Sequence, residues 1–200
     1  MTKPIGPICN LDCAYCFYLE KEHTLYPDVR NFRMKEDTLE EYVKQFMKSQ
    51  PGPHVEMAWQ GGEPTLMGLP FFQKVREFQE KYLPRGWTCS NTLQTNGTLL
   101  TKEWCDFLRK NHFLIGLSMD GPAEVHDVYR YDKGKRPSHA KVMRGLRLMQ
   151  EHKVDYNILC VVNDVNGRKP LECYRFFREI GTEFIQFIPI VERTGEGCAS

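Results

Sequence analysis

The sequence predicts an α/β fold built on parallel strands. Two observations carry that reading. From residue 35 onward, strand-like and helix-like segments alternate, and such alternation implies parallel strands joined by right-handed crossovers. The motifs richest in glycine and polar residues fall in the turns just after strands, the edge where parallel folds gather functional groups. Alternation alone allows a barrel or an open doubly wound sheet; the placement of the motifs favours a barrel-type arrangement.

The elements follow in order. Glu36 to Gln50 is a helix, with Leu39, Val43, Phe46 and Met47 on one face. His54 to Trp59 is a short strand ending in Gln60-Gly61-Gly62. A helix from about Leu69 to Tyr82 carries Phe71, Val75, Phe78 and Tyr82 as its apolar stripe. Thr88 to Thr95 is a strand closed by Asn96-Gly97. Thr101 caps a helix bearing Trp104, Phe107 and Leu108. Phe113 to Met119 is a strand stopped by Asp120-Gly121-Pro122. Tyr131 to Pro137 is a polar loop, and Ser138 to His152 a helix with Val142, Leu146 and Met149 inward. Tyr156 to Val162 is apolar almost throughout, as suits a strand buried on both faces. A helix from about Pro170 to Ile180 and a strand from Phe184 to Ile190 complete the pattern.

Composition narrows the class. Two hundred residues, 41% hydrophobic and 26% charged, suit one soluble domain able to bury a full core. A net charge of +1 gives no reason to expect nucleic acid or an anionic membrane as partner. No apolar run approaches the roughly 20 residues of a membrane helix, and the N-terminus has no signal-peptide core. Reduced cysteines without an export signal indicate a cytoplasmic protein. The start and the end both look cut from something larger: only eight residues precede Cys9, and Glu192 to Ser200 follows a strand with no helix to cover it.

Three of the eight cysteines, Cys9, Cys13 and Cys16, stand in a C-x3-C-x2-C run. Three thiolates this close can hold one iron–sulfur cluster but cannot ligate all four irons of a cubane, and cluster ligation ordinarily takes four. The iron left over would be open to substrate, as catalytic metal sites keep an open position. Structural zinc would want a second pair of ligands; Cys89, Cys105, Cys160, Cys173 and Cys198 are scattered singly. Cys13 and Cys16 alone could form a redox pair, which leaves Cys9 without a role. Eight cysteines in 200 residues are too sparse for a disulfide scaffold.

The strand ends supply the other candidates. In Gln60-Gly61-Gly62-Glu63-Pro64, two glycines allow positive φ and close approach of the backbone to a ligand, and Glu63 suits an ammonium group. The same run also reads as a plain tight turn with an exposed Glu. Asn96-Gly97 is ordinary turn chemistry. Ser118 and Asp120 offer a hydroxyl and a carboxylate at one mouth, although Asp120 could instead cap its own turn. Arg130 could clamp a carboxylate bidentately or be a solvated loop residue. His126 reads as structural. Tyr15, between two of the cysteines, is held near any cluster and could line a purine pocket. No Ser-His-Asp order, P-loop or Rossmann fingerprint is present.

Taken together these motifs resemble the radical S-adenosylmethionine enzymes, and within them the anaerobic sulfatase-maturating enzymes. The runs that look alike are Cys13 to Tyr18, Gln60 to Thr65, Leu93 to Leu99, Gly116 to Pro122, Asn157 to Val162 and Ile185 to Ile188. The resemblance implies a partial (β/α)6-type barrel, the radical core, over residues 1–200, without the C-terminal domain that carries two auxiliary clusters and an acidic base in that family. It implies a 4Fe-4S cluster on Cys9, Cys13 and Cys16, and S-adenosylmethionine contacts at Tyr15, Gln60, Gly61, Gly62, Glu63, Ser118, Arg130 and Val191. It also implies reductive cleavage of S-adenosylmethionine to a 5′-deoxyadenosyl radical, used to oxidise a cysteine or serine of a sulfatase polypeptide to Cα-formylglycine. A flavodoxin or ferredoxin would be the electron donor. Other readings of the core are a thioether-forming peptide-modifying enzyme or a truncated, non-catalytic metal-binding fragment.

Overall fold

The computed structural model describes residues 1–18, 28–29 and 31–190. Its elements are α1 (Glu36–Ser49), β1 (His54–Trp59), a 3-10 turn (Pro64–Met67), α2 (Leu69–Tyr82), β2 (Thr88–Thr95), α3 (Lys102–Lys110), β3 (Phe113–Ser118), α4 (Ala123–Tyr129), α5 (His139–Glu151), β4 (Tyr156–Val162), α6 (Asp164–Gly167), α7 (Pro170–Glu179) and β5 (Ile185–Pro189). The five strands form one parallel sheet in the order β1-β2-β3-β4-β5. Curled with its helices into a half-barrel, it bears out the expected α/β class.

The N-terminal segment adds one rung to the sheet. Thr2 bridges Trp59 in parallel, its N–H donating to the Ala58 carbonyl at 2.7 Å and its carbonyl accepting from Gln60 at 2.9 Å. Residues just before the cysteines are thereby anchored to the end of β1.

The core lies between sheet and helices, with Trp59, Phe72, Phe113 and Phe177 its largest fully buried side chains. One polar network crosses it. Asn91 on β2 and Gln79 on α2 exchange two amide hydrogen bonds of 3.0 and 2.8 Å, and Asn91 also accepts from the Trp59 indole at 2.9 Å. Each buried amide therefore has partners, which removes the penalty of an unpaired polar group. The buried face of α2 is Phe72, Val75, Phe78 and Gln79: Val75 and Phe78 are as expected, while Phe72 and Gln79 take the places given to Phe71 and Tyr82. A glutamine in the core is invisible to a hydrophobicity pattern. In α3, likewise, Cys105 rather than Phe107 completes the buried face. Thr101 caps that helix as expected, accepting from the Trp104 N–H at 3.4 Å.

Strand β4 is buried through Ile158, Leu159 and Cys160 and only half-buried at its ends. Two helices, α4 and α6, stand where the sequence reading assigned no element. Helix α6 is a single turn closed by a capping box, with Asn163 accepting from Asn166 and Asn166 from Asn163.

Candidate functional site

The residues at the C-terminal ends of the strands converge on one cleft of about 420 Å³. Each strand contributes: Gln60, Gly61, Gly62 and Glu63 after β1, Gln94, Thr95 and Asn96 at β2, Ser118 at β3, Val161 at β4, and Ile188, Pro189 and Ile190 at β5. The loop carrying Cys9, Cys13, Tyr15 and Cys16 forms the opposite wall, and Arg130 reaches in beside it. The sequence candidates thus come together, except Val191, which lies outside the described residues.

The cysteine loop is held by backbone hydrogen bonds to the last residue of α4 and the segment after it. Asp12 N–H donates to the Tyr131 carbonyl at 2.8 Å, and Ala14 N–H to the Tyr129 carbonyl at 2.9 Å. Leu11 bridges Asp132 in antiparallel fashion. The chain on either side of Arg130 therefore fixes the loop, while the Arg130 side chain enters the site. From the other side, Glu63 N–H donates to the Ile8 carbonyl at 2.8 Å.

This second contact explains Gly62. Its φ is +48°, and a Cβ there would lie 2.1 Å from the Ile8 carbonyl oxygen. Only glycine lets the turn after β1 touch the cysteine loop so closely.

Glu63 is buried, not exposed at a turn tip. Its Oε1 accepts from the Thr65 N–H at 3.0 Å and from the Thr65 and Thr95 hydroxyls at 2.7 Å each. Its Oε2 accepts from the Asn96 N–H at 2.7 Å. Burial pushes the Glu63 pKa up, against the opposing pull of these donors. With both oxygens engaged, the carboxylate ties the β1 turn to the end of β2.

Arg130 and Asp120 are buried together. The guanidinium donates from Nε to Asp120 Oδ2 at 2.8 Å and from Nη2 to Oδ1 at 3.1 Å, a bidentate pair. The Tyr15 hydroxyl also donates to Asp120, and Val161 N–H reaches Oδ1 at 3.0 Å. Burial alone would raise the Asp120 pKa, but the Arg130 charge and hydrogen bonds outweigh it and hold the group below its usual value. The carboxylate that Arg130 clamps is one of the chain's own. The guanidinium centre also lies 5.4 Å from the Tyr15 ring centroid, so cysteine loop, β3 and the end of α4 meet at one charge pair.

Burial raises the Cys9 thiol pKa to about 12, with the Glu63 charge adding to it. Cys13 rises to about 11 for the same primary reason, opposed by Arg130. Thiols in such surroundings are protonated unless a metal deprotonates them on coordination. All three are free and face one cavity. Among the described residues, no three His, Cys, Asp or Glu side chains converge on a single-ion position. A cubane takes each thiolate on a different iron, which three free thiols lining one cavity can supply. The donor set therefore fits an iron–sulfur cluster.

Residues 4–177 match the Radical SAM superfamily. This chain belongs to that superfamily. Membership brings a 4Fe-4S cluster and S-adenosylmethionine as cofactors. This radical SAM chain is 49% identical over 193 residues to the serine-type anaerobic sulfatase-maturating enzyme of Bacteroides thetaiotaomicron, covering 96% of this chain and 46% of that protein. It is 42% identical to a cysteine-type enzyme of Clostridium perfringens, covering 98% and 54%. The structure of native anSMEcpe with bound AdoMet superposes with a TM-score of 0.88 at 40% identity, covering 97% of this chain and 53% of that one. Streptococcus suis SuiB shares the fold, with a TM-score of 0.70 at 17% identity. The chain spans about half the length of the curated relatives it matches.

Two participants escaped the sequence reading, and a third, His126, is structural as the sequence suggested but in a way it did not show. Asn96 and Asn10 are hydrogen-bonded to each other beside Cys9. His126 is fully buried; its Nδ1 accepts from the Asp120 N–H at 3.3 Å, and its Nε2 pairs at 3.0 Å with the Ser138 hydroxyl, which donates to the Arg130 carbonyl at 2.8 Å. The ring thus braces both members of the charge pair. The available signal was the four-residue spacing of His126 and Arg130, which places them on one face once α4 is recognised as a helix.

Proposed function

We propose that this chain is the radical-generating core of an anaerobic sulfatase-maturating enzyme. One observation carries the reading: three free thiols, the Gly61-Gly62-Glu63 turn, Ser118 and Arg130 share one cleft in a chain 37–49% identical to such enzymes. Cys9, Cys13 and Cys16 hold the cluster. Tyr15, Gln60, Gly61, Gly62, Ser118, Arg130 and Val191 form the S-adenosylmethionine site, with Glu63 shaping the turn from behind. A reduced cluster held there would supply one electron to the sulfonium of bound S-adenosylmethionine, whose cleavage would give methionine and a 5′-deoxyadenosyl radical.

The chain's own residues position and enclose. Asp120 holds the Arg130 guanidinium at the cleft. The apolar wall of Val161, Ile188 and Ile190 keeps water from the reacting groups. The substrate is a sulfatase polypeptide, whose cysteine or serine becomes Cα-formylglycine. Of the described carboxylates, only Glu63 lines the cleft, and it is saturated; the base that completes the oxidation is therefore assigned outside these residues. A flavodoxin or ferredoxin supplies the electron in the reducing cytoplasm, in keeping with the free cysteines. Among the described residues no helix is long and apolar enough to cross a membrane.

The test joins this chain to the C-terminal half of the Bacteroides thetaiotaomicron relative, reconstitutes the product anaerobically, and applies a sulfatase peptide and an aldehyde-specific probe. Aldehyde on the target residue is expected. A thioether crosslink in its place would move the assignment to another class of peptide-modifying enzyme.

A further inference from the structure

We propose that Asn96 is a positioning residue for the cluster, donating its side-chain amide to the sulfur of Cys9 and thereby raising the cluster's reduction potential. The inference rests on the reading that Cys9, Cys13 and Cys16 hold a cluster.

The orientation of the Asn96 amide is fixed by its neighbours. Its Oδ1 accepts from the Thr98 N–H at 3.0 Å and from the Thr98 hydroxyl at 2.7 Å. A backbone N–H can only donate, so oxygen must sit at that end and Nδ2 at the other. Nδ2 then donates to Asn10 Oδ1 at 2.9 Å and lies 3.7 Å from Cys9 Sγ. Asn10 Nδ2 in turn donates to the Thr98 hydroxyl at 2.8 Å. The three side chains form a closed ring of hydrogen bonds with one consistent sense. It presents the Asn96 donor to the sulfur at 3.7 Å, with Asn10 Oδ1, itself engaged by Asn96, at 3.8 Å from the same atom.

Asn96 is itself held. Its backbone N–H is bound by Glu63, and the residue is buried. Cys9 Sγ receives a second donor, the Leu11 N–H at 3.3 Å. One donor belongs to the cysteine loop and the other to the end of β2, so the sulfur is located by two separate elements. Donors aimed at a ligating thiolate favour the reduced, more negative cluster and raise its potential. Asn96-Gly97 thus does more than turn the chain.

The test is an EPR-monitored redox titration of anaerobically reconstituted protein, comparing wild type with two variants. Asn96→Asp keeps the acceptor that binds Thr98 and replaces the donor by a charged oxygen. Asn96→Ser keeps a short acceptor for the turn, cannot reach Cys9, and adds no charge. Both are expected to lower the potential. For Asn96→Asp the reduced-to-oxidised ratio at the wild-type midpoint should fall roughly tenfold, about 59 mV for a one-electron couple; Asn96→Ser should shift less, in the same direction. A cluster that loads normally in either variant with an unchanged or raised potential would overturn this role alone. Failure of the wild-type chain to bind iron would overturn the reading beneath it as well.

Discussion

Arg130 and Asp120 form a two-point charge pair, at 2.8 and 3.1 Å, with the guanidinium side chain 9% exposed and the carboxylate 1%. The pair is distant from both chain termini in sequence yet organises the first turn of functional residues. Tyr15 hangs on the same carboxylate, and the residues flanking Arg130 bind the cysteine loop through their carbonyls.

Breaking this pair should be expensive. Removing one partner of a buried ion pair leaves an uncompensated charge, at a cost of about 3–5 kcal/mol. Asp120→Asn is expected to lower stability by that order in urea denaturation. Lys135→Ala, at the exposed Lys135–Asp12 contact, should change it by no more than about 1 kcal/mol. Equal effects from the two variants would contradict the account.

Glu63→Gln tests the carboxylate as a tie between strands. An amide nitrogen in place of Oε2 would face the Asn96 N–H, donor against donor. Stranding one buried group costs about 1–3 kcal/mol, so the unfolding midpoint should drop accordingly at unchanged m-value. Gln60→Ala, three residues earlier and half-buried, should alter stability by about 0.5 kcal/mol or less.

Gly62→Ala would drive a Cβ into the Ile8 carbonyl and displace the cysteine loop. Iron loading after reconstitution is expected to fall severalfold. Gly52→Ala, with no atom within 4 Å of the added carbon, should load as wild type does. Iron per chain, measured on both, decides the matter.

Acid should weaken the fold through His126. Burial, with the Arg130 charge, lowers its pKa from 6.5 to about 3. Between those values the unfolded chain binds a proton that the folded chain refuses. The stabilisation is complete above pH 6.5 and is lost as pH falls toward 3, by up to about 1.4 kcal/mol per pH unit. His126→Asn, which does not titrate, should flatten the stability curve between pH 6.5 and 4. An unchanged slope would show that His126 is not the group responsible.

Much of this was legible in the sequence because local patterns and global fold agree. Cysteine spacing, the glycine turn and βα alternation each carry their own physical reason. What escaped depends on partners remote in sequence. Asp120 read equally well as a turn cap because its partner, Arg130, immediately follows an unrecognised helix. Glu63 read as exposed because nothing local reveals the donors of Thr95 and Asn96, more than 30 residues away. Gln79 in the core defeated a hydrophobic pattern for the same reason, since its partner Asn91 lies on another element.

The central claim is that these residues assemble a cofactor-cleaving radical SAM site. The most direct measurement is 5′-deoxyadenosine formed from S-adenosylmethionine by the reconstituted, chemically reduced chain, alongside Cys13→Ala. Product is expected from the wild-type chain and none from the variant. A wild-type chain carrying a full complement of iron that forms no 5′-deoxyadenosine, or a Cys13→Ala chain that forms it equally well, would contradict that claim.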